Sequence, residues 1–278
     1  MTVGDLHSLG TAALVRRDGL PDPPREARWL LAHAFDRSEA WILAHRDEAV
    51  PAHVEALFRG WLARRAAGEP AHYIVGCCPF WGRVFSVTPA VLIPRPETEL
   101  IVECVLTLPQ PKRPRVLDVG TGCGCLAVTL ALELPDSSVA ATDLSPAAVE
   151  VARRNARTLG AAVRVTIGDL AAHARGPFDL VVANLPYVPA GEIPGLSVEI
   201  RAHEPHVALT GGEDGADLLR TLLADLPRLL APGGHALLEM GPRQRAGLQA
   251  GVAASGLVEV HRGLDRAGIE RVLVLRRG

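Results

Sequence analysis

Val116-Leu117-Asp118-Val119-Gly120-Thr121-Gly122-Cys123-Gly124 decides the fold of this chain. Apolar residues around a single acid read as a buried strand, and glycines at three alternate positions then break it before a helical pattern begins at Leu126. Glycine permits a tight turn and lets main chain approach a ligand closely. A strand that runs into such a turn and then a helix is suited to hold a nucleotide-like cofactor. The spacing is Gly-x-Gly-x-Gly, not the dinucleotide Gly-x-Gly-x-x-Gly, and no Gly-Lys-Ser/Thr occurs, which disfavours a P-loop.

Downstream of Pro114 the texture alternates. Apolar strand candidates occupy 115–119, 139–142, 163–167, 178–183, 235–240, 257–260 and 272–275, with helical patterns at 126–134, 146–159, 216–230 and 243–254. Strand–helix repetition with continuous apolar strands predicts a mostly parallel sheet covered on both faces. Only 262–268 separates the last two strands, so a hairpin with one strand reversed is the simplest connection.

Upstream, residues 1–71 read as a small helical domain expected to dock a substrate. Pro21-Asp22-Pro23-Pro24 separates its first two helices, and the second carries Trp29, Leu30, Leu31, Ala34 and Phe35 at helical spacing. Pro51 opens a further helix whose stripe of Val54, Leu57, Phe58, Trp61 and Leu62 reads as core packing. Residues 72–95 read as a hairpin and linker, with β-type runs at 73–75 and 84–87 around Gly76 and Gly82. In Val91-Leu92-Ile93-Pro94-Arg95-Pro96-Glu97-Thr98-Glu99 the prolines make a stiff crossing, and Pro96 starts a helix through Leu106. The large domain spans 96–278.

Composition narrows the function classes. The chain has 278 residues, 48% hydrophobic and 22% charged, ordinary for a soluble globular protein. No apolar run approaches the roughly 18 residues of a membrane helix. Asp5 and His7 precede the first short apolar stretch, with no basic region or cleavage site, so the N-terminus does not read as a signal peptide and a cytoplasmic address is expected. The net charge is −2, and Lys112 is the single lysine. A protein that holds nucleic acid through phosphates needs a basic face, so no direct nucleic-acid partner is expected. Cys77, Cys78, Cys104, Cys123 and Cys125 lack zinc-ligand spacing and read as reduced structural thiols; no metal is expected.

Two further features carry chemistry. Asp143 ends the second strand about twenty residues after the glycine turn, where a carboxylate accepts both hydroxyls of a ribose. Asp169 follows the third strand and is placed to accept from an adenine amino group; capping the next helix is the alternative role for either acid. With the glycine turn, Asp143 favours S-adenosylmethionine over NAD. The run Phe178–Ala183 stops at Asn184-Leu185-Pro186-Tyr187, presenting an amide side chain, main-chain carbonyls and an aromatic ring at one sheet edge. That set suits a planar group carrying an NH2, hence methylation of an amide or amino nitrogen; a turn-forming asparagine is the plain alternative.

Seven strands ending in a hairpin resemble the class I S-adenosylmethionine-dependent methyltransferase fold. The chain as a whole resembles the HemK/PrmC family of protein-(glutamine-N5) methyltransferases. The resemblance runs through Arg64-Arg65, Gly68-Glu69-Pro70, Tyr73-Ile74, Phe80, Gly82 and Phe85, and Val91 to Glu99. It continues through the glycine turn, Asp143, Asn184 to Tyr187, Glu204-Pro205, Ala208-Leu209, Gly211-Gly212, Asp214-Gly215, Glu239-Met240-Gly241 and Gln244. It implies methyl transfer to the Gly-Gly-Gln glutamine of class I peptide chain release factors, and so a role in translation termination. Three positions depart from the family pattern: Leu185 for a proline, Leu170 for a tryptophan beside the adenine, and Cys123 for a small hydroxyl residue. Asn-Leu-Pro-Tyr also resembles enzymes that methylate the adenine amino group in RNA, which keeps an N6-type nucleic-acid methyltransferase open. A cofactor-binding protein without catalysis is a further alternative.

The expected site follows. Gly120, Thr121, Gly122, Cys123, Gly124, Asp143, Asp169, Leu170 and Asn184 bind the cofactor. Asn184, Leu185, Pro186 and Tyr187 bind the acceptor and form the catalytic set. The Asn184 side-chain oxygen and the Leu185 carbonyl take the acceptor's NH2 protons and stabilise charge developing on nitrogen. Arg95 and Glu97 fasten the linker over the cleft, and Glu204, with His203 and His206, makes a loop contact. A monomer is the default expectation.

Overall fold

The computed structural model describes residues 1–15, 20–242 and 244–278. Arg243, where the sequence pattern starts its last helix, lies outside the described residues, as do 16–19 of the helical N-terminal region. Helices α1 (Val3–Val15), α2 (Pro23–Phe35), α3 (Glu39–Ala44), α4 (Ala52–Ala66) and α5 (Ala71–Val75) open the chain. Strands β1 (Cys77–Phe80) and β2 (Arg83–Ser86) lead to α6 (Glu99–Thr107). Then follow β3 (Arg115–Val119), α7 (Cys125–Glu133), β4 (Ser138–Asp143), α8 (Pro146–Thr158), β5 (Val163–Ile167) and β6 (Phe178–Ala183). The chain ends with α9 (Val198–His203), α10 (Asp217–Leu229), β7 (Leu230–Glu239), α11 (Arg245–Ser255), β8 (Val258–Leu264) and β9 (Glu270–Arg276). Among the described residues no helix is long and apolar enough to cross a membrane.

The chain divides into two units, Met1–Gly76 with Ser197–His203, and Cys77–Leu196 with Glu204–Gly278. In the first, Asp22 caps α2 by accepting from Arg25 N at 3.1 Å, and Pro23 supplies a preset φ at its start. The stripes meet around Leu6, Leu14, Leu30, Leu31 and Phe58, all fully buried. A Cβ on Gly10 would lie 2.7 Å from the Phe58 ring, so glycine lets α1 close on α4. Arg65 is 2% exposed, and its charge is met by Glu26, by Glu199 on α9 at 2.7 Å and by the Glu69 carbonyl at 3.1 Å. A guanidinium this buried requires such partners.

One local expectation is corrected. Tyr73-Ile74-Val75, with its β-type composition, is helical, and the first arm of the hairpin is Cys77–Phe80, paired Cys77↔Ser86 to Phe80↔Arg83. Tyr73 and Ile74 are both buried, and Gly76, at φ 83°, donates to the His72 carbonyl and closes the helix. Burial of adjacent side chains outweighs β-propensity, which is context-dependent. Trp81 and Gly82, both with positive φ, form the two-residue turn.

The second unit holds a seven-stranded sheet in the order β5-β4-β3-β6-β7-β9-β8. β3 to β7 are mutually parallel along the ladder, and β9 runs antiparallel to both neighbours, as the short last connection requires. The chain winds from β3 out to β5, then returns to β3's other side with β6 and β7. The topological switch therefore falls between β3 and β6, where open α/β sheets bind ligands. Val116 to Val119 and Leu180 to Ala183 are buried without alternation, as strands covered on both faces must be. On α10, Leu219, Leu222, Leu223, Leu226 and Leu229 are fully buried on one face. Each contributes about 1.5–3 kcal/mol by leaving water.

Candidate active site

A cavity of about 300 Å³ lies at the carboxyl ends of β3, β4, β5 and β6, spanning the switch point. Its walls are the glycine turn, the segments after β4, β5 and β6, and the linker at Val91, Leu92 and Pro94.

The glycine turn is built as its composition demands: Gly120, Gly122 and Gly124 have φ of 73°, 57° and 85°. Gly120 N and Thr121 N both donate to the Thr142 carbonyl at 2.9 Å, anchoring the turn on β4. Asp143 Oδ2 accepts from Gly122 N at 2.8 Å and Oδ1 from Ser145 N at 2.9 Å. The carboxylate thus shapes the turn and, among the described residues, accepts from Gly122 and Ser145 with one oxygen each, leaving a lone pair on each for a ligand. Asn155, 1% exposed on α8, accepts from Ser86 N and donates to the Ser86 and Cys123 carbonyls, joining the hairpin to the turn. Gly124 lies behind the cavity wall, where its missing Cβ lets α7 approach Ala152 of α8. Gly120, Thr121, Gly122 and Cys123 line the cavity, with Asp143, Asp169 and Leu170. Thr142 Oγ1 donates to the Leu170 carbonyl at 2.9 Å, which fixes that strand end.

Asp118 is 1% exposed on the cavity wall. Its Oδ2 accepts from Thr121 Oγ1 at 2.6 Å and Ala127 N at 3.1 Å, while Oδ1 has no partner among the described residues. Burial pushes the carboxyl up to about 7, against the pull of those two hydrogen bonds and with a further push from Asp143.

After β6, Asn184, Leu185 and Pro186 face the cavity. Asn184 Nδ2 donates to Thr98 Oγ1 at 2.8 Å. Leu185 is 2% exposed, and its Cδ2 sits where a Cβ on Gly120 would come within 2.7 Å. The leucine at this position therefore packs into space left by the first glycine of the turn. Tyr187 is not part of the cavity wall. Its hydroxyl donates to Glu239 Oε1 at 3.4 Å, and its carbonyl accepts from Gln244 Nε2 at 2.8 Å, while Gln244 Oε1 accepts from Gly241 N at 2.8 Å. Gln244 so ties the Asn184–Tyr187 turn to the end of β7. Burial pushes the Tyr187 hydroxyl up to about 12, with the Glu239 charge adding to it.

The linker is held by Arg95, whose Nη2 meets Glu204 Oε1 at 2.5 Å; Glu204 Oε2 also accepts from Ile93 N at 3.4 Å. Glu97 instead exerts its charge on Glu239. Among the described residues no group of three His, Cys, Asp or Glu side chains is placed to hold a metal. The cysteines are free, and burial pushes Cys78 up to about 12, which leaves its thiol inert near neutrality. Sequence reading gave no role to Asp118, Thr98 or Glu239. Asp118 and Glu239 each interrupt or end an apolar strand with a carboxyl, and that was the available signal.

A family model described as the PrmC N-terminal domain matches residues 6–76, and one described as a methyltransferase small domain matches 96–201. The release factor glutamine methyltransferase of Bordetella pertussis is 47% identical over 263 residues, 92% of this chain and 97% of that protein. That of Deinococcus radiodurans is 39% identical over 280 residues, 100% of this chain and 99% of that protein. The chain belongs to the release factor glutamine methyltransferase family. Its fold is shared with a methyltransferase from Pyrococcus furiosus, at a TM-score of 0.56 and 18% identity over 78% of this chain and 97% of that one. A Thermus thermophilus 16S rRNA N2 G1207 methyltransferase, solved with AdoMet and guanosine, gives a TM-score of 0.52 at 16% identity over 73% of this chain and 50% of that one. At such identities these two resemble this release factor glutamine methyltransferase family member in fold alone.

Proposed function

We propose that this chain transfers a methyl group from S-adenosylmethionine to the side-chain amide nitrogen of the glutamine in the Gly-Gly-Gln motif of class I peptide chain release factors. One observation carries the reading: the Asn184 amide is tethered to Thr98 on the wall of a cavity that also contains the glycine turn and Asp143. The protein works in the cytoplasm as a monomer, and residues 1–71 dock a second part of the release factor, because a short loop alone gives little binding energy.

The residues present suit the cofactor. Gly120, Gly122 and Asp143 accommodate a ribose, Asp169 and Leu170 an adenine, and the unpartnered Asp118 Oδ1 a cationic or hydrogen-bond donor group. The bound cofactor supplies an electrophilic methyl on a sulfonium. The protein's part is to aim a poor nucleophile, since an amide lone pair is delocalised into its carbonyl. With Asn184 Nδ2 engaged by Thr98, Oδ1 of the same amide is directed away from that bond. Oδ1 and the Leu185 carbonyl then accept the two glutamine NH2 protons, orient the nitrogen and stabilise positive charge developing on it. Tyr187 supports this turn from behind through Glu239 and Gln244. No strong base is needed, because the nitrogen becomes acidic once alkylated.

The test is to incubate the full chain with labelled S-adenosylmethionine and either intact release factor or one whose Gly-Gly-Gln glutamine is replaced. Label on the intact protein alone supports the reading. Equal labelling of both, or transfer to RNA that weakens steeply with salt, would replace it with the amino-methyltransferase alternative.

A further inference from the structure

Three stretches of chain converge on the side-chain amide of Gln244, in the connection between β7 and α11. Its Nε2 donates to the Tyr187 carbonyl at 2.8 Å and to the Asp214 carbonyl at 3.4 Å, and its Oε1 accepts from Gly241 N at 2.8 Å. The order of the amide is thereby fixed, since only its nitrogen can serve the carbonyls and only its oxygen the N–H. Two glycines make room for the contact. A Cβ on Gly215, at φ 79°, would lie 2.5 Å from Gln244 Nε2 and closer still to the Tyr187 carbonyl oxygen. A Cβ on Gly211 would lie 2.6 Å from the Pro186 carbonyl oxygen. Beyond the turn, Val188 N donates to the Leu209 carbonyl and Gly211 N to the Val188 carbonyl, each at 3.0 Å.

We propose that Gln244 is a positioning residue for the methyl transfer: by holding the Tyr187 carbonyl, its side-chain amide fixes the direction of the Leu185 carbonyl earlier in the same turn. This rests on the glutamine-methylating reading above, in which the Leu185 carbonyl and Asn184 Oδ1 receive the acceptor. Successive peptide planes are joined by two soft dihedrals per residue. The Pro186 ring locks one of those in the turn, and Gly211 confines the carbonyl that follows it. A Tyr187 carbonyl held at Gln244 therefore leaves the Leu185 carbonyl little freedom. Without the amide, the Tyr187 peptide is free to rotate, and the rotation passes back to the groups that hold the acceptor. A displacement of about 1 Å there costs about 100-fold in rate.

Two side chains of similar shape separate this role from packing. Methionine at 244 fills much of the same space but donates nothing. Glutamate keeps an acceptor for Gly241 N and sets a carboxylate against the Tyr187 and Asp214 carbonyls, which repel it. Gln244 is not part of the cavity wall, so neither change touches the cofactor's own contacts.

The test uses the full chain as parent, Gln244→Met and Gln244→Glu. Calorimetry with S-adenosylmethionine counts binding sites and gives the cofactor Kd; kcat is then measured per binding site with cofactor saturating and release factor as acceptor. Gln244→Met lowers kcat per site about 10–100-fold, and Gln244→Glu at least as much, while the cofactor Kd stays within about twofold of the parent. A merely structural role would lower the number of binding sites and leave kcat per site alone. Hydrogen exchange gives a readout that needs no turnover. The Val188 and Gly211 amides, whose bonds anchor the chain just after the turn, exchange about 3–30-fold faster in Gln244→Met. If the parent leaves release-factor glutamine unlabelled, the functional reading fails by itself, and the exchange result still decides whether Gln244 holds the turn. Parent-like kcat per site in either variant, or unchanged exchange at Val188 and Gly211, overturns the inference.

Discussion

Gly120 and Leu185 belong to turns after different strands, yet the structure couples them, and a double-mutant cycle measures that coupling. Gly120→Ala introduces two costs. At φ 73° an L side chain is strained by about 1–2 kcal/mol. The new Cβ also lies 2.7 Å from Leu185 Cδ2, where carbon atoms prefer 3.5–4.0 Å. Opening that gap forces a buried leucine to move, an overpacking cost of roughly 1–3 kcal/mol. Gly122→Ala is the control: its φ is 57°, and nothing lies within 4 Å of its added Cβ, so only the first cost, about 1–2 kcal/mol, applies. Leu185→Ala alone costs about 2–4 kcal/mol in lost burial, but Gly120→Ala placed upon it adds only the backbone strain. The expected coupling is thus about 1–3 kcal/mol, favourable in the double variant. Native-state hydrogen exchange at the slow amides of β3 and β6 reads it within the large unit, without assuming that the two units unfold together. A Gly120→Ala cost that is the same in both backgrounds, or no larger than that of Gly122→Ala, refutes the reasoning.

Other substitutions probe the site separately. Leu185→Pro keeps the main-chain carbonyl and retains most activity, whereas Asn184→Ala removes nearly all of it; comparable losses in steady-state assays would show a role for the 185 side chain that the mechanism lacks. Asp118 is held near 7, above its unfolded value of 3.8, so the folded state binds the proton more tightly and stability falls as pH rises between those values. Asp118→Asn therefore stabilises the ligand-free protein at pH 8, on the order of 2–4 kcal/mol, with the gain shrinking toward pH 4; urea titrations at several pH values check the sign. Arg95→Ala leaves Glu204, whose side chain is 2% exposed, without its cation. A loss of about 2–4 kcal/mol is expected, with weaker cofactor binding by calorimetry because Val91–Pro94 forms a cavity wall.

The features legible in the sequence were those written locally. Glycines at 120, 122 and 124 announced a tight turn, and the structure gives all three a positive φ. Mostly apolar runs at 115–119 and 178–183, without a period of two, announced covered parallel strands, because a strand buried on both faces has no reason to alternate. Residues 73–75 misled because three residues carry no period, so burial in the helical unit decided their conformation. The candidate site divides the same way. Asp143 and Asn184 could be named because each ends a strand beside a recognisable turn.

Asp118, Thr98 and Glu239 could not be given roles in that manner. The chain by itself determined a strand–turn–helix order, a cofactor-type glycine turn and an amide at a strand end, since backbone preference and hydrophobic period act over a few neighbouring residues. Only the tertiary structure decided that Thr98 accepts from the Asn184 amide, that Tyr187 donates to Glu239 and that Leu185 fills the space left by Gly120. Those contacts join residues dozens of positions apart, and hydrogen-bond polarity and close packing exist only once the sheet has brought them together.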